Sequence, residues 1–512
     1  MYLEKVCVPD FRALQNVEIC FERELKPSIF PLGSLNGGGK STLLQLIFVL
    51  LHCSTHPDRI VFLKNFLNGF KIDTKSNKRI LATLDIWEGN KTIQLEFFTC
   101  NYTFIQTLWN DDSLSKKDYK DIYDIYISAY NRLRELNAEI VSLGTNISII
   151  DKIHTQLISL SKTENYQENY YTLQSIKHQL QKYILSDYAK YQPDYLNLLT
   201  SLSNIQTKPN GSSEDVDILM SITREVLTKL QLNLDNVNKK IKQVEYYEEF
   251  FIDVFKKNNM IYVCENLPNF QEQEAKETLM CQFKNIEINE GVSFLQKISE
   301  KIFFAAHVSQ VFLFLSPDSR KSLFKTQAKE KLDENDYYTQ IRKGKPKLPG
   351  FFTYDFMAVD ILIDSFKKAR DMDFLKAIET GEYGDNYKRL LEELNDVLSN
   401  KKININKDLS GVTFKVNTDD IELYPEDLSH GELKRLCLYM WMKHHQIENS
   451  IVLMDEIEIA FHPDWQYQIV RDIEEWSPTN QYILATHSYE LCQAVTPAHV
   501  KELEPKLRKN PK

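Results

Sequence analysis

Four short segments of this 512-residue chain carry residues whose types and spacing suit chemistry on a phosphate group. The first is Leu35-Asn36-Gly37-Gly38-Gly39-Lys40-Ser41-Thr42, set between the apolar run Ile29-Phe30-Pro31-Leu32 and a helix-compatible run from Leu43 to Leu51. A strand, a glycine-rich turn, Lys-Ser and a helix together cradle phosphates. Backbone N–H groups point inward, the lysine reaches the terminal phosphates, and the hydroxyl holds Mg²⁺. The usual motif has glycine six residues before the lysine. Here that position is Ser34, with Gly33 one step earlier, so a Cβ must fit where the motif has none. The second segment, Ile451-Val452-Leu453-Met454-Asp455-Glu456, is an apolar strand ending in two carboxylates. Asp455 suits holding Mg²⁺ through water, and Glu456 suits orienting and deprotonating an attacking water. The third, Gln481-Tyr482-Ile483-Leu484-Ala485-Thr486-His487-Ser488, is a strand ending in a polar histidine. The fourth, Asp427-Leu428-Ser429-His430-Gly431-Glu432, precedes an apolar helix from Leu433 to Met442. Ser429 and Gly431 at that helix N-terminus make an anion-binding cap. Each segment alone is commonplace: a surface turn, a chance Asp-Glu, a structural histidine. Their joint presence carries the reading.

The elements around them must position these residues. Tyr2–Val8, Val17–Phe21 and Ser28–Leu32 read as strands, and Arg79–Trp87 with Lys91–Phe98 reads as a hairpin turning at Glu88-Gly89-Asn90. From Tyr119 to Leu143 apolar residues recur in alternating steps of three and four, a heptad seam for which Gly144 is a natural stop. A second seam runs from Leu227 to Phe251. Two readings stay open: an antiparallel arm roughly 35–40 Å long at 1.5 Å per residue, or a compact helical bundle. Met260–Cys264 and Val311–Leu315 read as buried strands, and Ser316 to about Asn406 as helical and polar. Within it, Arg342-Lys343-Gly344-Lys345-Pro346-Lys347 is a basic loop that suits either a nucleic-acid backbone or plain solvation. The acidic cluster Asp333-Glu334-Asn335-Asp336 reads as surface, and the basic tail from Pro505 as frayed.

Composition excludes several classes. Hydrophobic content of 43% and charged content of 26% are ordinary for a globular chain, and a net charge of −10 gives no global nucleic-acid signature. Eight scattered cysteines without a CxxC pair, and no targeting or membrane-spanning run, lead to the expectation of a cytoplasmic protein with reduced thiols and no membrane partner.

In this order the four segments resemble the ABC-type ATPase superfamily: Walker A loop, signature motif, Walker B strand and switch histidine. The resemblance implies ATP and Mg²⁺ as ligands. Asn36, Gly37, Gly38, Gly39, Lys40, Ser41 and Thr42 would bind nucleotide, with Ser41 and Asp455 on the metal. Glu456 would be the catalytic base and His487 the sensor of the γ-phosphate. Ser429, His430, Gly431 and Glu432 would act in trans, on nucleotide held by a second copy, so a homodimer or higher oligomer is implied. Glu432 stands where transporters often carry Gln. About 390 residues separate Lys40 from Ser429, with helical seams between them. That spacing resembles the SMC-like, RecF-like and OLD-like ATPases, whose heads are interrupted by helical arms. Asp10-Phe11-Arg12-Ala13-Leu14 is similar to the N-terminal Phe-Arg element of that branch, which puts Arg12 on the nucleotide. Asp455 to Gln466 resembles the Walker B extension of OLD-like and related defence ATPases, with Ile457 where proline is usual. No Q-loop glutamine is assigned.

The expected fold is therefore α/β: a P-loop NTPase head of the ABC-type ATPase kind, with a helical, coiled-coil or compact, insertion. Residues 1–110 form the first half of the head, 111–258 the insertion, and 259–512 the second half, with a helical subdomain at about 318–406. With 25 residues after His487, no TOPRIM nuclease of the kind some members carry is expected. Three functions stay open. One is an ATPase that dimerises on ATP and gates a separate effector such as a nuclease or toxin, as PtuA-like and AriA-like anti-phage subunits imply. Another is a repair or recombination ATPase acting directly on nucleic acid. The third is a slow, ATP-locked scaffold.

Overall fold

The computed structural model describes residues 1–35, 37–73, 76–108, 116–162, 166–186, 188, 195–204, 213–266, 277–307, 310, 314–316, 320, 344–354, 359–398, 400–406, 409, 411–416 and 422–503. Asn36, the acidic cluster at 333–336, Arg342, Lys343, and the tail from Pro505 lie outside the described residues. The chain forms two compact units, residues 1–115 with 254–512, and residues 116–253.

The first unit is organised by two six-stranded sheets. One is antiparallel and contains β1 (Tyr2–Phe11), β2 (Leu14–Cys20), β4 (Lys78–Glu88), β5 (Lys91–Cys100), β6 (Met260–Asn266) and β7 (Glu277–Lys284), in the order β2-β1-β4-β5-β7-β6. The other is parallel throughout and contains β3 (Ile29–Gly33), β8 (Ile302–Ala306), β9 (Phe351–Thr353), β13 (Ile451–Asp455), β14 (Gln481–Ala485) and β15 (Lys501–Glu502), in the order β15-β3-β14-β13-β8-β9. A small antiparallel sheet of β10 (Lys401–Ile405), β11 (Val412–Val416) and β12 (Glu422–Leu423) completes the set.

Strand alternation sorts the parallel sheet's side chains into two cores. Ile451, Leu453, Ile483, Ala485, Ile302 and Phe304 enter one core, which they share with the antiparallel sheet and the helix Lys40–Cys53. Val452, Met454, Tyr482, Leu484, Phe303 and Ala305 enter the other, with helices Val359–Thr380, Asn386–Val397, His430–His444 and Pro463–Trp476. The helix Lys40–Cys53 is buried at every residue from Leu43 to Cys53. A helix packed on both sides needs apolar residues all round, which is how Leu43–Leu51 reads.

Two expectations fail here. Of Val311–Leu315, expected as a buried strand, residues 311–313 lie outside the described residues, and Phe314 and Leu315 are buried outside any strand, so the strand beside β13 comes from earlier in the chain. Phe314 instead fills an aromatic cluster, with ring centroids 6.3 Å from Phe48, 6.0 Å from Phe66 and 5.8 Å from Phe351. The strand is β8, whose Ala305 pairs with Met454. Nor is the stretch from Ser316 to Asn406 wholly helical, because β9 and β10 fall within it.

The second unit is helical, built from Lys116–Ser161, Tyr166–Ser186, Tyr195–Asn204 and Ser213–Lys257. All four helices contribute to one core, including Leu143, Ile150, Leu180, Leu202, Val226 and Leu230. His154 and Thr223, on the two long helices, share a 2.7 Å hydrogen bond. Gly144 does not stop its helix. Lys116–Ser161 runs for 46 residues, about 69 Å at 1.5 Å per residue, and longer than the heptad seam suggests. Burial of Leu143, Ile150, Ile153 and Leu157 on both sides of the glycine outweighs a propensity deficit of about 1 kcal/mol. A Cβ at Gly144 would meet nothing within 4 Å. Gly144→Ala should therefore stabilise this unit by about 0.5–1 kcal/mol, read as a raised urea midpoint at unchanged slope.

Candidate functional site

Parallel pairing delivers three of the four chemistry-bearing segments to one edge. Leu32 of β3 lies opposite Ala485 of β14, and Ala485 opposite Asp455 of β13. The next residues along each strand are Gly33-Ser34, Thr486-His487 and Glu456, so the turns they begin emerge together beyond the carboxyl ends, where open α/β sheets place ligands.

The glycine loop closes on the helix that starts at Lys40. Gly39 caps it with φ 91°, a left-handed backbone that a side chain would strain, and an added Cβ would lie 2.7 Å from Leu14 Cδ2. Gly37 and Gly38 precede it in the turn, and Thr42 follows Ser41 on the first helical turn. Ser34 does not need the left-handed region, so its side chain is tolerated. Its hydroxyl donates to Leu35 O at 2.9 Å and accepts from Lys40 Nζ at 3.1 Å.

Lys40 is 5% exposed. Its ammonium also donates to Ser34 O at 3.2 Å and lies 2.9 Å from His487 Nε2, 447 residues along the chain. Burial lowers its pKa, opposed by the charges of Asp455, Glu458 and Glu456. Ser41 Oγ donates to Asp455 Oδ1 at 2.9 Å. Asp455 is 1% exposed, and burial pushes its carboxyl up to about 7. Glu456 and Glu458 push the same way, against the Ser41 hydroxyl and Lys40. Asp455 Oδ2 is buried without a hydrogen-bond partner among the described residues. A carboxylate crowded by two others, with an unsatisfied oxygen beside a serine hydroxyl, fits a divalent cation. Mg²⁺ takes one or two protein oxygens and keeps water or phosphate for the rest.

Glu456 is held in an unusual backbone. Its φ is 52°, in a region that costs a non-glycine residue about 1–2 kcal/mol. Two contacts over-determine it: Glu456 N–H donates to Ala485 O at 2.9 Å, and Lys434 Nζ donates to Glu456 O at 3.3 Å. Lys434 also donates to Ile459 O at 3.1 Å and sits 3.9 Å from the Tyr354 ring centroid. Burial lowers the Lys434 ammonium to about 7, with Glu458 and Glu456 opposing. Strain kept in place by such contacts marks functional turns more often than passive ones.

The fourth segment sits on a different turn. Ser429 caps the helix His430–His444 in a capping box: its Oγ accepts from Glu432 N at 3.2 Å, and Glu432 Oε2 accepts from Ser429 N at 3.1 Å. Glu432 also pairs with Lys401. Burial acts to raise its carboxyl, but Lys401 and Ser429 outweigh it and hold it low. The Glu432 carboxylate is thus engaged within its own chain. His430 is exposed and Gly431 buried. A Cβ at Gly431 would lie 2.7 Å from Ala460 O, so the cap rests on the turn that follows Glu456. Behind it, Arg435 pairs with Asp472 at 2.6 Å and Trp441 stacks on Phe352 at 4.8 Å. Among the described residues, no hydrogen bond or ion pair joins 429–432 to 37–42.

Arg12 has φ 54° at the turn between β1 and β2, whose Leu14 packs on Gly39. Its guanidinium donates to Phe66 O and lies 4.4 Å from the Phe66 ring centroid. One residue joins the site that the sequence reading left out. Glu458 accepts His487 N–H at 2.7 Å. Gln310, four residues past β8, accepts from Gln45, one helical turn beyond Ser41. In the basic loop, Lys345 Nζ donates to Thr353 Oγ1 at 3.2 Å. Among the described residues no helix is long and apolar enough to cross a membrane.

Residues 306–493 match a family model described as "AAA domain, putative AbiEii toxin, Type IV TA system". The chain is 45% identical over 52 residues to "Retron Vc95 probable ATPase" of Vibrio cholerae serotype O1 biovar El Tor, a stretch that is 10% of each chain. It is 39% identical over 46 residues to "Retron Ec83 probable ATPase" of Escherichia coli, covering 9% of this chain and 8% of that one. The matched stretch thus spans about a tenth of the length of these curated relatives. Among solved structures, the Smc head domain with a coiled coil and joint from Pyrococcus yayanosii is 13% identical at a TM-score of 0.30, over 96% of this chain and 93% of that one. The Smc head domain from Pyrococcus furiosus, with an extended coiled coil and bound to the C-terminal domain of ScpA, is 11% identical at a TM-score of 0.30, over 96% and 92%.

Proposed function

We propose that this chain, whose residues 306–493 match an AAA domain, is a Mg²⁺-dependent ATPase whose site is completed by a second copy. The observation that carries it is the meeting of Lys40, Ser41, Asp455 and His487 within hydrogen-bond distance, from segments more than 400 residues apart. Among the described residues the Lys40 ammonium lies within hydrogen-bond distance of Ser34 and His487, with no carboxylate oxygen bonded to it. Phosphate oxygens offer charge-assisted bonds about twice as strong, so they draw the ammonium to the β/γ-phosphates. Ser41 and Asp455 would hold Mg²⁺, which would supply positive charge against the negative charge that develops on the phosphate. Glu456, fixed in its strained turn, orients a water and takes its proton. His487 contacts the γ-phosphate from the end of β14. Ser429, His430 and Gly431 of one copy close on the nucleotide held by the other; Glu432 serves by holding the cap.

The output of closure is delivered to a separate effector, a nuclease or toxin, in cytoplasmic anti-phage defence. The short matches to retron probable ATPases and the AbiEii description of the matching domain support that role. Direct action on nucleic acid has less support, since Lys345 of the basic loop is engaged by Thr353. The test is phosphate release from ATP by the full chain. Release that needs Mg²⁺ and stops with EDTA is expected; a folded preparation releasing none would refute the proposal.

A further inference from the structure

Glu458 lies three residues beyond Asp455, on the turn that carries Glu456, and is 7% exposed. Its Oε1 accepts the backbone N–H of His487 at 2.7 Å, and its Oε2 is buried with no hydrogen-bond partner among the described residues. Among those residues it makes no ion pair. A structural carboxylate is normally buried only when paired; this one is buried for a single bond to a backbone amide. That amide belongs to the loop whose ring lies against Lys40. The rest of the loop is anchored elsewhere: Thr486 N–H donates to Leu32 O at 3.2 Å, and Ser488 N–H to Thr486 Oγ1 at 2.9 Å. Glu458 therefore supplies a side-chain link from the turn of Glu456 to the loop of His487, alongside the Glu456–Ala485 backbone bond.

We infer that Glu458 is a positioning residue for hydrolysis: its Oε1 fixes the backbone at His487 relative to Glu456, so that the sensing ring and the basic carboxylate keep one geometry. The inference rests on the ATPase reading. Its hold on the loop, however, is measurable without nucleotide. Residues that orient a reacting group through another side chain cost about 10–100-fold when removed, and a positioning loss falls on kcat rather than KM.

The experiment uses the full chain as wild type, Glu458→Ala and Glu458→Gln, with Glu458→Met as a second variant lacking a strong acceptor should alanine leave an unfolding cavity. Amide hydrogen exchange at His487 is followed without nucleotide, and kcat and KM for ATP are measured in parallel. Loss of the acceptor should speed exchange by at least about tenfold and lower kcat about 10–100-fold with KM within about threefold. Glu458→Gln, which keeps a carbonyl acceptor, should restore both. Unchanged exchange, unchanged kcat, or a glutamine variant as impaired as alanine would overturn the inference. Wild-type protein that turns over no ATP, with exchange responding as expected, would sink the ATPase reading and the hydrolytic role with it, and leave only the hold on the loop standing.

Discussion

Lys40→Met is expected to lower ATP turnover at least about 100-fold and to weaken nucleotide binding by about 10–100-fold. The ammonium is the cation at the head of the glycine loop, and its place is set by a helix buried at every residue from Leu43 to Cys53. Methionine keeps the length and removes the charge. The fold should tolerate the change. Burial already disfavours the charged lysine, so an apolar side chain removes a desolvation cost, while Asp455, Glu456 and Glu458 lose a compensating neighbour. These opposing effects should leave the melting temperature of the nucleotide-free protein within a few degrees. Equilibrium binding of a fluorescent ATP analogue and a melting curve separate loss of function from loss of fold.

Glu456→Gln separates binding from chemistry. Turnover should fall by about 10²–10⁴-fold, the usual contribution of a positioned general base, while nucleotide affinity stays within about threefold. Glutamine has nearly the same shape, and the backbone at 456 is fixed by Ala485 O and Lys434 rather than by the carboxylate. The side chain should therefore keep its place and lose only its basicity. Phosphate-release kinetics together with a binding isotherm check both halves. Turnover within threefold of wild type would remove Glu456 from the base's role.

Much of this site is legible in the sequence because its strand ends are abrupt. Ile451–Met454 and Gln481–Ala485 are short apolar runs that stop at a charge or a histidine, and in a parallel sheet buried on both faces such runs must be central strands. Their register then places Asp455 and His487 beside the glycine loop. The helix cap is legible in Ser429 and Gly431 ahead of an apolar run, and the structure shows it as a capping box between Ser429 and Glu432. What the sequence hides is that capping and Lys401 together occupy the glutamate.

The misreadings have physical causes. Val311–Leu315 reads as a strand because it is a short apolar run, yet Phe314 within it packs among Phe48, Phe66 and Phe351, while the similar run Ile302–Ala306 pairs with β13. Gly144 is a local stop signal overruled by a core that continues on either side of it. Glu458, between Ile457 and Ile459, carries no signal of its own in the sequence, and only the turn that follows Glu456 shows it buried.

The composite site is tested most directly by the mass of Glu456→Gln with and without Mg²⁺·ATP, measured by light scattering while the bound nucleotide is identified. Because binding persists and hydrolysis stalls, the closed state should accumulate. The account predicts a doubling of mass, or a larger multiple, with intact ATP retained, and reversal of that change by Gly431→Asp in the same background. ATP bound intact to a particle whose mass does not change would contradict a site completed by a second copy.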